Sequence, residues 1–216
     1  MELPLPVPVA QRNRPVGSRA DGRIRIIGGK WKGRKLDVAD RPGLRPSMDR
    51  VRETLFAWLG GDVVDRRVLD LFAGTGALSF EALSRGAASA PLIERDRAAA
   101  GVLKAAATRL GANCRVHVAS APQWVRRQRE WHWDLVFVDP PFDTRLGAET
   151  LGLLRGRDVL VYFEEADAGT RGGRDADTED LPGWETLRES RAGACRFRLL
   201  RPAGAVARLA PVPGRC

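Results

Sequence analysis

The sequence has few residues of the kinds that bind metals or form disulfides. It contains three cysteines (Cys114, Cys195 and Cys216) and two histidines in 216 residues, with no C-x-x-C pair. A structural metal centre and a disulfide-bonded secreted scaffold are therefore not predicted. A reducing compartment suits such a sequence, so we expect a cytoplasmic protein without a metal.

Long hydrophobic runs are also missing. The first ten residues are apolar, but they lack a basic start and contain three prolines, which is atypical of a signal peptide. No other stretch approaches the ~20 consecutive apolar residues that a membrane-spanning helix needs. We therefore expect no association with a membrane.

Negative charge is scarce in the N-terminal quarter of the chain. Residues 1–52 contain 13 Lys or Arg but five Asp or Glu, a surplus of eight within a formal net charge of +9. Such concentrated positive charge favours a polyanionic partner, for example a nucleic acid. The alternative is a solvated basic tail. Residues 1–22, rich in Pro, Arg and Gly and without periodicity, are predicted to be a disordered arm.

Residues 68–78 have the pattern of a buried strand, a glycine turn and the first turn of a helix. The strand is apolar except for Asp70, while Gly74 and Gly76 allow a tight turn and close approach of a ligand to the backbone. A ligand on this turn would meet free amide groups at the start of the helix. The simpler alternative is a turn that only packs the helix against the sheet.

Two later features favour the ligand-binding interpretation. Glu94 ends the next apolar strand about 20 residues after the glycines, where an acid can accept both hydroxyls of a ribose. The apolar run at 135–138 leads into Asp139, Pro140, Pro141 and Phe142, which are unsuited to a hydrophobic core. The carboxyl ends of strands are where open α/β sheets place their chemistry.

The chain alternates between strand and helix patterns. Strands are predicted at 68–72, 89–94, 114–118, 134–138 and 158–163, and helices at 77–85, 96–110, 121–129 and 145–154. A polar loop at 166–183 precedes a hairpin of strands 184–190 and 194–200. This order predicts a seven-stranded, mostly parallel α/β sheet that ends in an antiparallel hairpin.

Residues 23–38 are predicted to form a basic hairpin with Gly28 and Gly29 in its turn. A platform for phosphates would be formed by Arg23, Arg25, Lys30, Lys32, Arg34 and Lys35. Trp31 would either stack on a base or anchor the hairpin to the main domain, and the second role is favoured. Ser47 is predicted to cap the next helix. The charged residues near that helix start are interpreted as mostly surface charges: Arg45, Arg50, Arg52 and Glu53.

These segments together resemble the RsmD family, the guanine-N2 methyltransferases of small-subunit (16S) ribosomal RNA that depend on S-adenosyl-L-methionine (AdoMet). The resemblance covers about residues 23–200. It rests on RIIGGKWKGRKL, GLRPSMDRVRETLF, LDLFAGTGALSFEALSRGA, LIERD and VFVDPPF. The glycine turn and the DPPF segment are shared with many methyltransferases, whereas the first two segments are more specific to this family.

The resemblance implies the class I AdoMet-dependent methyltransferase fold, which is Rossmann-like, with a small N-terminal hairpin. It implies catalytic roles for Asp139, Pro140, Pro141 and Phe142. It implies that AdoMet is bound by Asp70, Phe72, Ala73, Gly74, Thr75, Gly76, Glu94, Arg95, Ser120, Ala121 and Asp139. It implies that RNA is bound by Arg23, Arg25, Lys30, Trp31, Lys32, Arg34, Lys35, Arg45 and Arg50. Ser120 departs from the family pattern, which often has Asp or Asn there to contact the adenine.

The implied organisation has four parts. A disordered basic arm (1–22) precedes an RNA-binding hairpin and loop (23–46), a methyltransferase domain (47–200) and a C-terminal tail (201–216). The expected partner is ribosomal RNA or an assembling small ribosomal subunit, and the expected state of the protein is a monomer.

The residues of the DPPF segment suggest how an exocyclic amine would be methylated. Asp139 and the carbonyl group of Pro140 could accept the two amine hydrogens and favour a pyramidal nitrogen. Phe142 would stack on the base, worth about 1–3 kcal/mol, and the nucleotide must be single-stranded or flipped out. An adenine-N6 methyltransferase of DNA or RNA fits the same segment. A nucleic-acid-binding module without catalysis and a nicotinamide oxidoreductase are further alternatives, and neither accounts for this segment.

Overall fold

The computed structural model describes residues 23–37, 49–142, 144–167 and 181–204. Within these ranges the strands are β1 Arg23–Arg25, β2 Lys35–Asp37, β3 Val68–Asp70, β4 Leu92–Glu94, β5 Val116–Val118, β6 Leu135–Val138, β7 Leu160–Ala166, β8 Trp184–Ala192 and β9 Cys195–Pro202. The α-helices are α1 Asp49–Leu59, α2 Ala77–Ser84, α3 Arg97–Leu110, α4 Ala121–Arg126 and α5 Leu146–Leu154. Outside the described residues lie the predicted arm 1–22, the loop with Arg45, the Ser47 cap, most of the polar loop and the tail from residue 205.

The main sheet has seven strands in the order β5-β4-β3-β6-β7-β9-β8. The strands β3 to β7 pair in parallel, and β9 lies antiparallel between β7 and β8. This arrangement confirms the predicted α/β fold, a mostly parallel sheet with an antiparallel C-terminal hairpin. The hairpin turns at Gly193 and Ala194, next to the predicted position.

The boundaries of several elements differ from the predicted ones. The strand β3 ends at Asp70 rather than at Phe72, because the Phe72 amide donates to the Asp70 side chain at 3.3 Å and starts the turn there. The strand β4 begins only after Pro91, which has no N–H to donate to a sheet. The helix α4 ends at Arg126 instead of residue 129, whereas the strands of the C-terminal hairpin extend further than predicted.

The alternation of side chains along β6 divides the core into two layers. Leu135 and Phe137 pack with the helices α1, α2 and α3, whereas Val136 and Val138 pack with α4 and α5 on the opposite face. All four side chains are buried. A central parallel strand covered on both faces is expected to be apolar throughout. The first polar residue after β6, Asp139, therefore lies at the end of this buried strand.

The N-terminal hairpin is shorter than predicted and packs into the main core. A short 3-10 helix, Gly29–Trp31, replaces the expected tight turn between β1 and β2. Ile24 and Leu36 are buried and belong to the cluster that includes α1 and α2. A Cβ at Gly29, whose φ is 73°, would collide with the carbonyl group of Ser84. The hairpin therefore approaches the last turn of α2 closely, and only glycine permits this contact.

A buried ion pair holds the hairpin against the helices. Arg52, expected to be a surface charge, is 0% exposed, and its guanidinium lies 3.6 Å from the carboxylate of Glu81, also 0% exposed. The Glu81 oxygens accept the amides of Ile27 and Gly28 at 2.8 and 2.7 Å. Arg52 also donates to the carbonyl group of Arg25 at 3.0 Å. These contacts correct the surface assignment, since Arg52 links α1, α2 and β1.

The described part of the chain contains no helix that is long and apolar enough to cross a membrane. It also contains no cluster of three or more His, Cys, Asp or Glu side chains arranged to hold a metal ion.

Candidate functional site

The predicted site residues follow strands that are neighbours in the sheet. In the order β5-β4-β3-β6, the carboxyl ends of these strands carry Ser120, Glu94 (the last residue of β4), the glycine turn and Asp139. The register pairs Asp70 with Leu92 on one side and with Phe137 on the other. Because all four strands are parallel, their carboxyl ends meet at one edge of the sheet, which is where ligands bind in such folds.

The glycine turn has one open side and one packed side. Gly74 and Gly76 have φ values of 50° and 75°, and the Gly76 amide donates to the carbonyl group of Ala73 at 2.6 Å. A Cβ at Gly74 would meet only the Phe72 carbonyl group, at 3.8 Å, whereas one at Gly76 would lie 2.6 Å from the side chains of Leu103 and Phe80. The backbone at Gly74 is therefore accessible to a ligand, and Gly76 is required for helix packing.

The start of α2 offers amide groups beside this turn. No side chain caps the helix at Gly76, and the Thr75 hydroxyl lies 3.4 Å from the Ala77 amide, at the limit of a hydrogen bond. The first amide groups of a helix have no partner within the helix and carry partial positive charge. The turn therefore presents backbone donors to polar groups of a ligand.

The carboxylate of Glu94 connects two loops. One oxygen accepts the Gly74 amide at 2.9 Å, and the other accepts the Asp96 amide at 2.7 Å. Glu94 is only half-buried, and a carboxylate can accept about four hydrogen bonds. Each oxygen therefore retains capacity for a ligand hydroxyl. Arg95 beside it is exposed, and Asp96 caps α3, accepting the Ala98 and Ala99 amides at 2.8 Å.

Asp70 supports the turn from below. Its side chain is 1% exposed and accepts the Ser79 hydroxyl at 2.6 Å as well as the Phe72 amide. Burial raises the pKa of Asp70 to about 7. Its direct contact with a cofactor stays a prediction, because the structure accounts for this carboxyl group by its role in joining β3 to α2.

The residue before Ser120 contacts the backbone of Glu94. The Ala119 amide donates to the Glu94 carbonyl group at 3.1 Å, and the Ser120 side chain makes no capping hydrogen bond with α4. Ser120 is half-buried, while Ala121, the first residue of α4, is buried in the core. The Ser120 hydroxyl is thus placed at the same edge of the sheet as the glycine turn.

The DPPF segment is held from both ends. Asp139 is half-exposed directly after β6, and Pro140 is buried. A Cβ at Gly147 in α5 would lie 3.0 Å from the Pro140 ring, so the helix packs closely on this proline. The Pro141 carbonyl group accepts two hydrogen bonds from Thr144, one from the Thr144 amide at 3.2 Å and one from the Thr144 hydroxyl at 2.8 Å. Phe142 is half-buried against the core, which leaves part of its ring accessible for stacking.

Sequence reasoning missed the buried carboxyl group beside Asp139. Glu164, 4% exposed, is hydrogen-bonded to the Asp139 side chain. Its oxygens also accept the Tyr162 hydroxyl at 2.7 Å and the Cys195 thiol at 3.3 Å. Burial raises the pKa of Glu164. The only signal for this residue in the sequence is its position as an acid directly after the predicted apolar strand 158–163.

The basic residues of the hairpin are only partly free. Arg23 pairs with Asp37 at 3.3 Å, and Asp37 also pairs with Arg109 of α3 at 2.7 Å. Trp31 is 6% exposed, and Lys30 lies 4.6 Å from the centre of its ring. Trp31 thus anchors the hairpin, and its proposed stacking on a base is wrong because its ring is covered. The exposed basic residues of the predicted set in the described chain are Arg23, Arg25, Lys30, Lys32, Arg34, Lys35 and Arg50.

The hairpin and the glycine turn contact opposite ends of α2. Ser84, whose hydroxyl accepts the Trp31 amide at 2.9 Å, is eight residues beyond Gly76. That separation corresponds to about 12 Å along the helix axis. A ligand that contacts both the hairpin and the strand ends must therefore extend well beyond a single nucleotide.

A separate cavity lies at the other edge of the sheet. Its volume is about 380 Å³, and Arg67, Trp131, Asp134 and Arg157 are among its lining residues. Arg67 and Asp134 pair at 3.4 Å, and Arg157 lies over the Trp131 ring. These residues precede β3, β6 and β7, so the cavity is not part of the site formed by the strand ends.

Known methyltransferases resemble this chain in sequence and in fold over most of its length. The model of a protein family described as conserved hypothetical protein 95 matches residues 24–201. Ribosomal RNA small subunit methyltransferase D of Escherichia coli is 46% identical over 186 residues, covering 82% of this chain and 89% of that protein. Its Haemophilus influenzae counterpart is 36% identical over 189 residues, covering 83% and 94%. The solved structure of the candidate methyltransferase YhhF of Escherichia coli superposes with a TM-score of 0.71 at 43% identity, covering 84% of this chain and 98% of that one.

Proposed function

Because the chain belongs to the RsmD family of ribosomal RNA small subunit methyltransferases, we propose that it transfers a methyl group from AdoMet to the exocyclic N2 of a guanine in that RNA. The observation that carries this proposal is the placement of Glu94, the glycine turn and Asp139 at the carboxyl ends of three adjacent parallel strands. Glu94 and the glycine turn suit a nucleoside with a charged amino-acid tail, and Asp139 suits an exocyclic amine.

The residues after β3 and β4 fit AdoMet. The half-exposed Glu94 has oxygens with capacity for the ribose hydroxyls, and the open side of Gly74 admits a ligand to the backbone. The uncapped amides at the start of α2 can bind a carboxylate of the amino-acid tail. We assign the remaining predicted contacts, Phe72, Ala73, Thr75, Arg95, Ser120 and Ala121, to the same pocket.

When bound, AdoMet supplies a methyl group that is already activated by its sulfonium charge. The task of the protein is therefore to align a poorly nucleophilic amine. The Asp139 carboxylate and the Pro140 carbonyl group accept the two hydrogens of the amine and draw its lone pair out of the ring plane. Two consecutive prolines fix the backbone there, since their φ angles are restricted. Phe142 stacks on the guanine, and Asp139 takes the proton that the nitrogen loses after transfer.

The exposed basic residues of the hairpin bind the phosphates of the RNA around the target guanine. Lys32 and Arg34 lie on the exposed side of the connection between β1 and β2, where no ion pair within the described residues involves them. Arg50 at the start of α1 is exposed and belongs to the same proposed RNA-binding set, as does Arg45, which lies outside the described residues. The hairpin thus positions an RNA segment, while the target nucleotide leaves its stack to reach Asp139.

We also propose that a monomer acts in the cytoplasm on ribosomal RNA or on an assembling small subunit. Among the described residues, the large exposed hydrophobic side chains are Val64 and Val118, which form no extended apolar patch in the chain. The chain is divided as the family pattern suggests, into an arm (1–22), an RNA-binding hairpin and loop (23–46), a methyltransferase domain (47–200) and a tail (201–216).

The experiment that tests the function uses AdoMet with an isotopically labelled methyl group. The protein is incubated in single-turnover amounts with free small-subunit RNA, assembled small subunits and DNA, and the labelled nucleoside is identified by mass spectrometry. We expect N2-methylguanosine from RNA or subunits. Labelled N6-methyladenine from any substrate would support the second candidate, an adenine-N6 methyltransferase, since an acid followed by two prolines and an aromatic residue can hold either amine.

A further inference from the structure

We propose that Glu164 is a positioning residue for methyl transfer, which holds the Asp139 carboxylate through a hydrogen bond that shares one proton between the two carboxyl groups. This inference rests on the proposed function, because Asp139 is its proposed amine-binding group. Nothing in the predicted site includes Glu164, which lies one strand away from the DPPF segment.

The register of the sheet places the two acids side by side. β6 and β7 are parallel, and Val138 pairs with Phe163, so the next residues of the two strands are Asp139 and Glu164. The side chains of these residues are hydrogen-bonded to each other. Glu164 is almost completely buried, whereas Asp139 is half-exposed at the edge of the site. The buried acid therefore supports the accessible one from the interior.

Glu164 itself is held rigidly. The Tyr162 hydroxyl donates to one of its oxygens at 2.7 Å, and the Tyr162 ring packs edge-on against Phe137 at 6.1 Å between centroids. The Cys195 thiol donates to the other oxygen at 3.3 Å from β9. Donors from two strands thus fix the plane of the Glu164 carboxyl group, and with it the direction of its hydrogen bond to Asp139.

The surroundings of the pair favour one retained proton. The titratable groups that act on this cluster are Tyr162 on β7, Cys195 on β9, Asp139 after β6 and Asp70 on β3, and each becomes negative when it ionises. Arg196 and Arg198 point to the opposite face of the sheet, where both pair with Glu165. Two carboxylates in contact repel each other, and a hydrogen bond between them requires a proton on one.

The shared proton fixes the orientation of Asp139. It also leaves the pair of carboxyl groups with a single negative charge. The hydrogen bond to Glu164 fixes the direction in which Asp139 presents its carboxyl group to the substrate amine. Loss of this proton at alkaline pH puts two negative charges in contact, and Asp139 then turns away from Glu164. Burial raises the pKa of Glu164, and this direction favours a retained proton on the pair.

The test compares Glu164→Leu and Glu164→Gln with Glu165→Gln, a control on the opposite face. We expect Glu164→Leu to lower kcat by about tenfold or more, with the KM for RNA and the Kd for AdoMet nearly unchanged. Glu164→Gln can still donate to Asp139, so it retains most of kcat at pH 7. Because the amide cannot lose this proton, the alkaline fall in kcat of the wild type disappears in Glu164→Gln and persists in Glu165→Gln.

A folded Glu164→Leu variant with wild-type kcat would overturn the proposal. If Glu164→Leu does not fold, the pH profile of Glu164→Gln decides, and an alkaline fall equal to that of the wild type overturns it. Infrared difference spectra provide a readout independent of the substrate: the band of a protonated carboxyl group should be lost in Glu164→Gln and retained in Glu165→Gln. If the wild type methylates no guanine, the proposed function fails, while these spectra still report on the shared proton.

Discussion

The Gly74 amide lies 2.9 Å from the carboxylate of Glu94, so the acid that ends β4 is hydrogen-bonded to the turn after β3. The second oxygen of Glu94 binds the Asp96 amide at the start of the next loop. A single side chain therefore sets the spacing between the two loops that would enclose AdoMet. The cofactor site depends on this acid in two ways, as a ligand and as a support for the turn.

Replacing Glu94 by alanine is expected to weaken AdoMet binding before it affects anything else. The loss of charge-assisted hydrogen bonds to the ribose corresponds to about 1.5–3 kcal/mol, or roughly a 10- to 100-fold increase in Kd. Titration calorimetry measures this directly. Glu130→Ala, which removes an exposed acid outside the site, is the control. An unchanged Kd in Glu94→Ala would remove the ribose assignment.

The buried pair of Arg52 and Glu81 should matter for stability far more than a surface pair. Glu81→Gln removes the buried negative charge that faces Arg52 at 3.6 Å and Arg85 at 2.8 Å. Asp49 still pairs with Arg52 at 2.6 Å, and we expect the free energy of unfolding to fall by about 3 kcal/mol. Glu149→Gln breaks an exposed pair with Arg126 and should cost less than about 1 kcal/mol. Denaturant unfolding of both variants tests this difference. Equal losses would contradict the role of Glu81 in docking the hairpin.

The parts of the fold that could be predicted from sequence are those with a local pattern. The apolar run before Asp139, the glycines of the turn and the cap at Asp96 each follow from residues close in sequence. Arg52 and Glu164 could not be assigned in this way, because their burial depends on partners 29 and 25 residues away, at Glu81 and Asp139. Trp31 differs from these two residues, because the sequence already favours its anchoring role and its ring is 6% exposed.

The pH dependence of stability should reveal the buried carboxyl group of Asp70. Its folded-state pKa of about 7 lies above the usual value, so the native state binds a proton that the unfolded chain has lost. The resulting stabilisation is present at acid pH and disappears as the pH rises towards 7. Relative to Asp70→Asn, the wild type should lose about 2 kcal/mol between pH 5 and 7.5. Parallel pH profiles of the two proteins, measured by denaturant unfolding, would contradict the raised pKa.

Removing positive charges from the hairpin should weaken RNA binding and make that binding less dependent on salt concentration. We expect Lys30, Lys32 and Arg34, replaced together by Gln, to weaken binding and to reduce the slope of log K against log salt concentration by up to about 2–3. The control replaces Arg115, Arg127 and Arg129, exposed residues outside the hairpin, and changes the net charge equally. If both triple variants alter the slope to the same extent, the hairpin is not a specific RNA surface.

The placement of Asp139 beside the cofactor turn is the central claim, and one comparison tests it most directly. Single-turnover methylation of the RNA substrate is measured for Asp139→Ala and Asp139→Asn, with AdoMet affinity determined in parallel. We predict that Asp139→Ala lowers the rate by about 100-fold or more while AdoMet still binds, and that Asp139→Asn keeps part of the activity because its amide oxygen accepts a hydrogen bond. Equal rates for the alanine and asparagine variants would contradict the role of Asp139 in holding the amine.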